Sequence, residues 1–258
     1  MNESILLLAN DDGIQAEGIH VLHDAVRDLA QTHVVAPDGE RSAIAQAITL
    51  GRPLYTAPWP PPPAAPFGTA ISGTPADCVK IGATTLLPAP PTLVLSGINL
   101  GPNTGISVLY SGTCAVASEA LVMGIPAVAF SLSTFEAPVW PTARRVARSI
   151  VAAVLSGALP VPPDTFLNVN IPNLPFDELR GLRVTTMGAS RFVETYTPAT
   201  DPSGRPCYTM AGDLHELDSD PETDIRAVRA GYVSLSPIAL DRTHHPALSP
   251  LRALSIPL

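Results

Sequence analysis

The stretch Ile5-Leu6-Leu7-Leu8-Ala9-Asn10-Asp11-Asp12-Gly13 constrains this chain more than any other. An unbroken apolar run ends abruptly in an amide and two adjacent carboxylates. A short continuous apolar run closed by a turn suits a strand buried on both faces of a parallel sheet. In open parallel sheets, ligands bind in the crevice at the carboxyl ends of the strands. Two negative charges therefore stand at the mouth of a candidate site.

Two like charges about 4 Å apart repel by roughly 4 kcal/mol at an effective dielectric near 20. Either one stays protonated or a cation joins them. Hard divalent cations take oxygen ligands, commonly one or two carboxylates together with water and a substrate phosphate. The functional reading is a Mg²⁺- or Mn²⁺-type site. The plainer reading is that Asp11 or Asp12 caps the following helix and turns the chain with Gly13. This stretch alone fits both.

The segments that follow alternate in period. Ile19, Leu22, Val26 and Leu29 recur at helical spacing and predict a first helix over residues 16–30. His33-Val34-Val35-Ala36 reads as a second strand, and strand–helix–strand opens a parallel α/β sheet. The polar loop over residues 37–47 leaves the same end of the sheet and brings Ser42 within reach of the acidic pair. The proline-rich stretch 58–66 suits neither helix interior nor central strand and is expected as a rigid surface loop.

A strand at residues 70–73 and a helix from Pro75 to about residue 83 come next. A buried strand over residues 92–96 ends in Ser96-Gly97-Ile98-Asn99-Leu100-Gly101-Pro102-Asn103. This loop is neither GxGxxG nor a P-loop, so dinucleotide and NTP signatures are absent. Asn99 and Asn103 offer neutral groups suited to a metal or a phosphate. Tyr110-Ser111-Gly112-Thr113 then opens a helix reaching about Met123. Free N–H groups at such a start hold anions, and Ser111 and Thr113 are good caps. Capping with no ligand is the plainer reading; the nearby Asn-rich loop favours phosphate.

A strand over residues 126–131, a helical stripe from Ala143 to Leu155 and a strand over residues 166–171 complete a doubly wound core spanning about 1–175. Beyond it the pattern changes. Strands are expected at 183–187 and 192–197. The latter pairs through Asp201-Pro202-Ser203-Gly204 with 206–210 as a protruding hairpin. A helix over 223–230 and a strand over 232–236 precede a proline-rich tail expected to wrap onto the core or a partner subunit.

Composition excludes several classes. Hydrophobic residues make up 46% and charged residues 15%, so the chain is not disordered. A net charge of −8 argues against binding nucleic acid duplexes. Cys78, Cys114 and Cys207 lie far apart and suggest neither a disulfide framework nor a zinc site. No run has transmembrane length and the start lacks signal-peptide character, so a cytoplasmic protein without membrane contact is expected.

The order of these motifs resembles one family. Asn10-Asp11-Asp12-Gly13, the Ala36-Pro37…Arg41-Ser42-Ala43 loop, Ser96-Gly97-Ile98-Asn99-Leu100-Gly101-Pro102-Asn103 and Tyr110-Ser111-Gly112-Thr113 look like the successive motifs of SurE survival proteins. Thr223-Asp224…Ala227…Gly231-Tyr232-Val233-Ser234 resembles a later signature. The resemblance implies a metal-dependent phosphomonoester hydrolase acting on nucleoside 5′- and 3′-monophosphates, some members also trimming polyphosphate. It implies one divalent ion, Mg²⁺ or Mn²⁺, on Asp11, Asp12, Ser42 and Asn99, with Asp11, Asp12 and Asn99 catalytic. Asn103, Ser111, Gly112 and Thr113 would line the phosphate pocket.

The implied fold is a single α/β domain, a Rossmann-like doubly wound, mostly parallel sheet. It carries a protruding β-hairpin and a C-terminal exchange segment, the region 183–258 serving a homodimer or homotetramer. Asp241 and His245 would help fix the exchanged segment. Ala9 departs from the family's usual Thr, Cys114-Ala115-Val116-Ala117 replaces its Val- and Ala-rich helix start, and the 58–66 loop is expanded. Two rival readings are a signalling receiver domain, which also begins with an acidic pair, and a non-catalytic nucleotide-binding module.

Overall fold

The computed structural model describes residues 4–254 and 256. The first three residues and residues 255, 257 and 258, the end of the proline-rich tail, lie outside the described residues. The opening apolar run is strand β1 (Ile5–Ala9), buried along its whole length. Helix α1 (Glu17–Val26) follows and then β2 (Gln31–Pro37), parallel to β1. The helix is shorter than the apolar spacing predicts. After Val26 the backbone closes a turn, with Leu29 N–H donating to the Val26 carbonyl, while Leu29 still packs on the core.

Strand β3 (Thr56–Trp59) runs antiparallel to β4 (Gly68–Ile71) and forms the sheet edge. Pro58 is tolerated there because an edge residue can lack a ladder N–H. The rest of the proline-rich stretch is the loop joining the two strands. Helix α2 (Pro75–Ile81) starts with a capping box, Thr74 with Asp77, and Pro75 in its first turn. Strand β5 (Leu93–Leu100), helix α3 (Gly112–Val122), strand β6 (Ala127–Ser133), helix α4 (Trp140–Leu155) and strand β7 (Thr165–Pro172) complete the winding.

Beyond residue 175 the sheet continues, which corrects the expectation that the core stops there. Strand β8 (Leu182–Val184) is shorter than predicted. Strands β9 (Arg191–Thr200) and β10 (Pro206–His215) form the expected hairpin as a separate two-stranded ribbon. Helix α5 (Asp224–Arg229) leads to β11 (Val233–Ala239), which pairs antiparallel with β7, while β8 pairs parallel with β11. A last short helix α6 (His245–Arg252), not anticipated in so proline-rich a tail, buries none of its residues. His245 Nε2 lies 2.7 Å from Asp241 Oδ2.

Among the described residues the main sheet runs β3-β4-β2-β1-β5-β6-β7-β11-β8. From β4 to β7 every pair is parallel. The chain winds outward from β1 through β2 to β4, then crosses to β5 on the other side of β1. The β1–β5 boundary is therefore the topological switch point, where such sheets form their ligand crevice. Two cores form, one under α1 and α4, the other under α2 and α3. No helix among the described residues is long and apolar enough to cross a membrane.

Candidate active site

The switch point brings the acidic pair to the asparagine loop. Asn10, Asp11 and Asp12 leave the end of β1. Asn99 lies on β5 just past a bulge between Ser96 and Asn99, within which the Gly97–Ile98 peptide is cis. Ala9 pairs with Ser96, so both strands release their polar residues at one level. The Asn10 side-chain N–H donates to the Gly13 carbonyl at 2.8 Å and closes the turn that holds both aspartates.

Thr113 joins the two strands. Its hydroxyl donates to Asp11 Oδ1 at 2.5 Å and lies 3.2 Å from Asn99 Oδ1. Helix α3 therefore begins against the Asp11 carboxylate. Gly112 must be glycine for this approach, because an added Cβ would sit 2.5 Å from Asp11 Cβ and 2.8 Å from Oδ2. Burial pushes the Asp11 carboxyl above the usual range, while the Thr113 hydroxyl and the backbone N–H groups of Thr113 and Gly112 pull it down. Much of the positive end of α3 thus faces a carboxylate of the chain itself, not open space.

Asp12 is less enclosed. Burial, then repulsion from Asp11 and Glu40, pushes its carboxyl up to about 7. Negative charge gathers here faster than the protein compensates it. Among the described residues no three His, Cys, Asp or Glu side chains group as a metal cluster. The donors are two carboxylates with neutral amide and hydroxyl oxygens, a set that suits a hard divalent cation completed by water and phosphate.

The remaining predicted residues divide. Ser42 rides on the loop after β2, whose Arg41 N–H donates to the Asp11 carbonyl at 2.7 Å, so it neighbours the pair. Its hydroxyl, however, donates to Glu40 Oε1 at 2.7 Å. The loop is strained, with Ala43 and Ala45 in the left-handed region at φ 55° and 52°. It is fixed by Ala45 N–H to the Tyr110 carbonyl, Thr74 to the Ala47 carbonyl, and Gln46 to Glu119, which also pairs with Lys80 at 2.6 Å. Ser111 caps α3, its Oγ accepting from Cys114 N–H at 3.0 Å.

Asn103 is nearly enclosed. Its amide nitrogen donates to Ser131 Oγ at 2.8 Å, and its backbone N–H donates to Asn170 Oδ1 at 2.8 Å. Asn168 and Asn170 both donate to its carbonyl. These two strand asparagines were missed by sequence reasoning. Their signal was two amides, two residues apart, inside the otherwise apolar run Phe166-Leu167-Asn168-Val169-Asn170-Ile171. Alternate strand residues share a face, so both meet one loop. Asp224 was noticed only as part of a motif; it is fully buried and accepts the Gly105 N–H at 2.8 Å.

Comparison with known proteins points to one family. A family model described as "Survival protein SurE" matches residues 6–194. A protein of Pelotomaculum thermopropionicum named 5′-nucleotidase SurE is 44% identical over 250 residues, covering 96% of this chain and 94% of that protein. Another of that name, from Pseudomonas putida, is 43% identical, covering 95% of this chain and 96% of its own. The crystal structure of the SurE protein from Aquifex aeolicus superposes with a TM-score of 0.83 at 38% identity, covering 96% of this chain and 98% of that one.

Proposed function

The chain belongs to the SurE survival-protein family, and from that premise we propose that it is a divalent-metal-dependent phosphatase of nucleoside monophosphates. The relatives' shared name, 5′-nucleotidase, supports the substrate class. The observation that carries the reading is the convergence of Asp11, Asp12 and Asn99 at the switch point of the sheet, with Thr113 touching two of the three. Asp11, Asp12 and Asn99 would hold the cation, and Ser42 would join them by turning from Glu40. When bound, such a cation supplies Lewis acidity toward phosphate and lowers the pKa of water.

The chain's own groups do the rest. Asp11 is locked by Thr113 and serves as a fixed anion. Asp12, the more open carboxylate, takes the proton released by the attacking water. The Asn103 side chain and the α3 start at Ser111, Gly112 and Thr113 border the phosphate and hold the anion in place. The receiver-domain reading is disfavoured, because its middle strand would end in aspartate where this one carries Asn99, and Lys80 pairs with Glu119. We read the chain as one α/β unit. The ten-residue strands β9 and β10 stand exposed outside the main sheet, and a lone two-stranded ribbon is marginal in water. This supports a homodimer or homotetramer in which the hairpin is covered.

A phosphate-release assay on nucleoside 5′- and 3′-monophosphates, with Mn²⁺, Mg²⁺ or EDTA, tests the reading. Metal-dependent release abolished by EDTA is expected. Nucleotide binding without phosphate release in either metal overturns it in favour of a non-catalytic binding module.

A further inference from the structure

The loop that carries Asn103 reaches α3 through a 3-10 turn, Gly105–Leu109. It is held at several points. Asn168 and Asn170 hold it from β7 at Asn103. The second anchor lies over a hundred residues downstream. Asp224, the first residue of α5, has its side chain wholly buried. Its Oδ2 accepts the Gly105 N–H at 2.8 Å. Its Oδ1 accepts the N–H groups of Gly188 at 3.2 Å and Ile225 at 2.8 Å. Its own N–H donates to the Thr186 carbonyl at 2.9 Å.

The same downstream segment presses on the loop directly. Ile106 N–H donates to the Ser190 carbonyl at 2.9 Å. An added Cβ on Gly105 would fall 2.3 Å from Ser190 Oγ and 2.6 Å from Ser190 O, and its φ is +53°. Residue 190 is the last before β9. One carboxylate thus gathers backbone N–H groups from the phosphate-side loop, the root of the hairpin and α5.

We propose that Asp224 is a positioning residue for phosphate binding: it clamps the Asn103–Gly105 loop against the root of the β9–β10 hairpin. This rests on the reading of the site as a phosphatase pocket. The clamp needs a carboxylate. Both oxygens face N–H donors, so an amide in its place would turn its own N–H₂ group on one of them. Releasing Gly105 frees the chain between Asn103 and the α3 cap, and the anion loses a prearranged surround. Chemistry at Asp11 and Asp12 is untouched, because Asp224 contacts neither.

The test compares wild type, Asp224→Asn and Gly105→Ala, each checked for folding by circular dichroism. Binding of inorganic phosphate to the Mn²⁺-loaded protein is measured by calorimetry, and kcat and KM for AMP by phosphate release. Expected is at least tenfold weaker phosphate binding and a similarly raised KM in both variants, with kcat changed less than threefold. A folded Asp224→Asn with wild-type phosphate affinity overturns the proposal. If that variant does not fold, Gly105→Ala decides, and unchanged affinity there overturns it. Wild type that binds phosphate but never turns over AMP would sink the phosphatase reading alone; wild type that turns over AMP but binds no phosphate would sink the clamp proposal alone.

Discussion

Thr113 Oγ1 donates to Asp11 Oδ1 at 2.5 Å while lying 3.2 Å from Asn99 Oδ1, so one hydroxyl from α3 stands between acceptors at the ends of β1 and β5. A hydroxyl has one proton, and the closer, charged acceptor holds it. Thr113→Val keeps the shape and removes this link. Phosphate release is expected to drop ten- to a hundredfold, and Thr113→Ser to recover much of it. Steady-state kinetics on the three proteins decides; full activity in the valine variant would remove Thr113 from the site.

Replacing either acid of the pair has a larger effect. Asp11→Asn and Asp12→Asn each remove a charge that the cation needs. The several kcal/mol of transition-state stabilisation a metal supplies corresponds to a hundredfold or more in rate. Turnover at saturating AMP and Mn²⁺ should fall by about that factor in each; unchanged turnover in both refutes the assignment.

Asp12 sets a pH window for the metal-free chain. Its folded carboxyl is raised to about 7 from 3.8. Between those values the folded chain holds a proton that the unfolded chain lacks. This group's contribution to stability is therefore greatest below about 4 and is lost as pH rises through about 7. A cation reverses the sense, because binding expels that proton. Mn²⁺ affinity is expected to rise from pH 5.5 to 7.5 and level off above. Titration calorimetry in two buffers of different ionisation enthalpy should also detect proton release at pH 6; a flat affinity profile contradicts the prediction.

Gly112→Ala tests the contact between α3 and Asp11. Alanine is the better helix former, yet its Cβ would meet Asp11 Cβ at 2.5 Å. Helix content by circular dichroism should hold while activity falls at least tenfold. Activity retained with intact helix would mean that the helix start does not need to touch the carboxylate.

Much of the fold was legible because its signals are local. The run Ile5–Ala9 could hardly be anything but a buried strand, and the adjacent Asp11 and Asp12 marked its end. The hairpin was legible from its turn, where the Asp201 carboxylate accepts the Arg205 and Ser203 N–H groups. Its full length was not. Both faces meet solvent, so no apolar alternation marks where β9 and β10 begin and end. The pairing of β11 with β7 joins residues far apart in sequence and leaves no local trace. Of the site, Asp11, Asp12, Asn99 and Thr113 converge, whereas Ser42 donates to Glu40 on a loop that bends through Ala43 and Ala45, two alanines with unusual φ that no propensity rule anticipates.

Asn170 was invisible for a related reason: an amide in a strand reads as a weak strand residue until its partner is known. Asn170→Ala would leave the Asn103 N–H without its side-chain acceptor and its carbonyl with one donor fewer. An unmet buried polar group costs about 1–3 kcal/mol, which lowers the melting temperature by roughly 2–12 °C in a chain of this size. Thermal melts, run without metal, measure it; an unchanged midpoint would show that water replaces the amide.

The pairing of Lys80 with Glu119 has one more consequence. Lys80 is the only lysine in the sequence, and its side chain is 43% exposed while that of Glu119 is 4% exposed. An acylating reagent therefore finds one side-chain amine on this protein. Capping it would strand the enclosed Glu119 as a lone anion beside Gln46, on the loop that carries Ser42. Mild acetylation, with peptide mapping to locate it, would thus modify a single side chain and, through it, weaken one tie of the Ser42 loop beside the acidic pair.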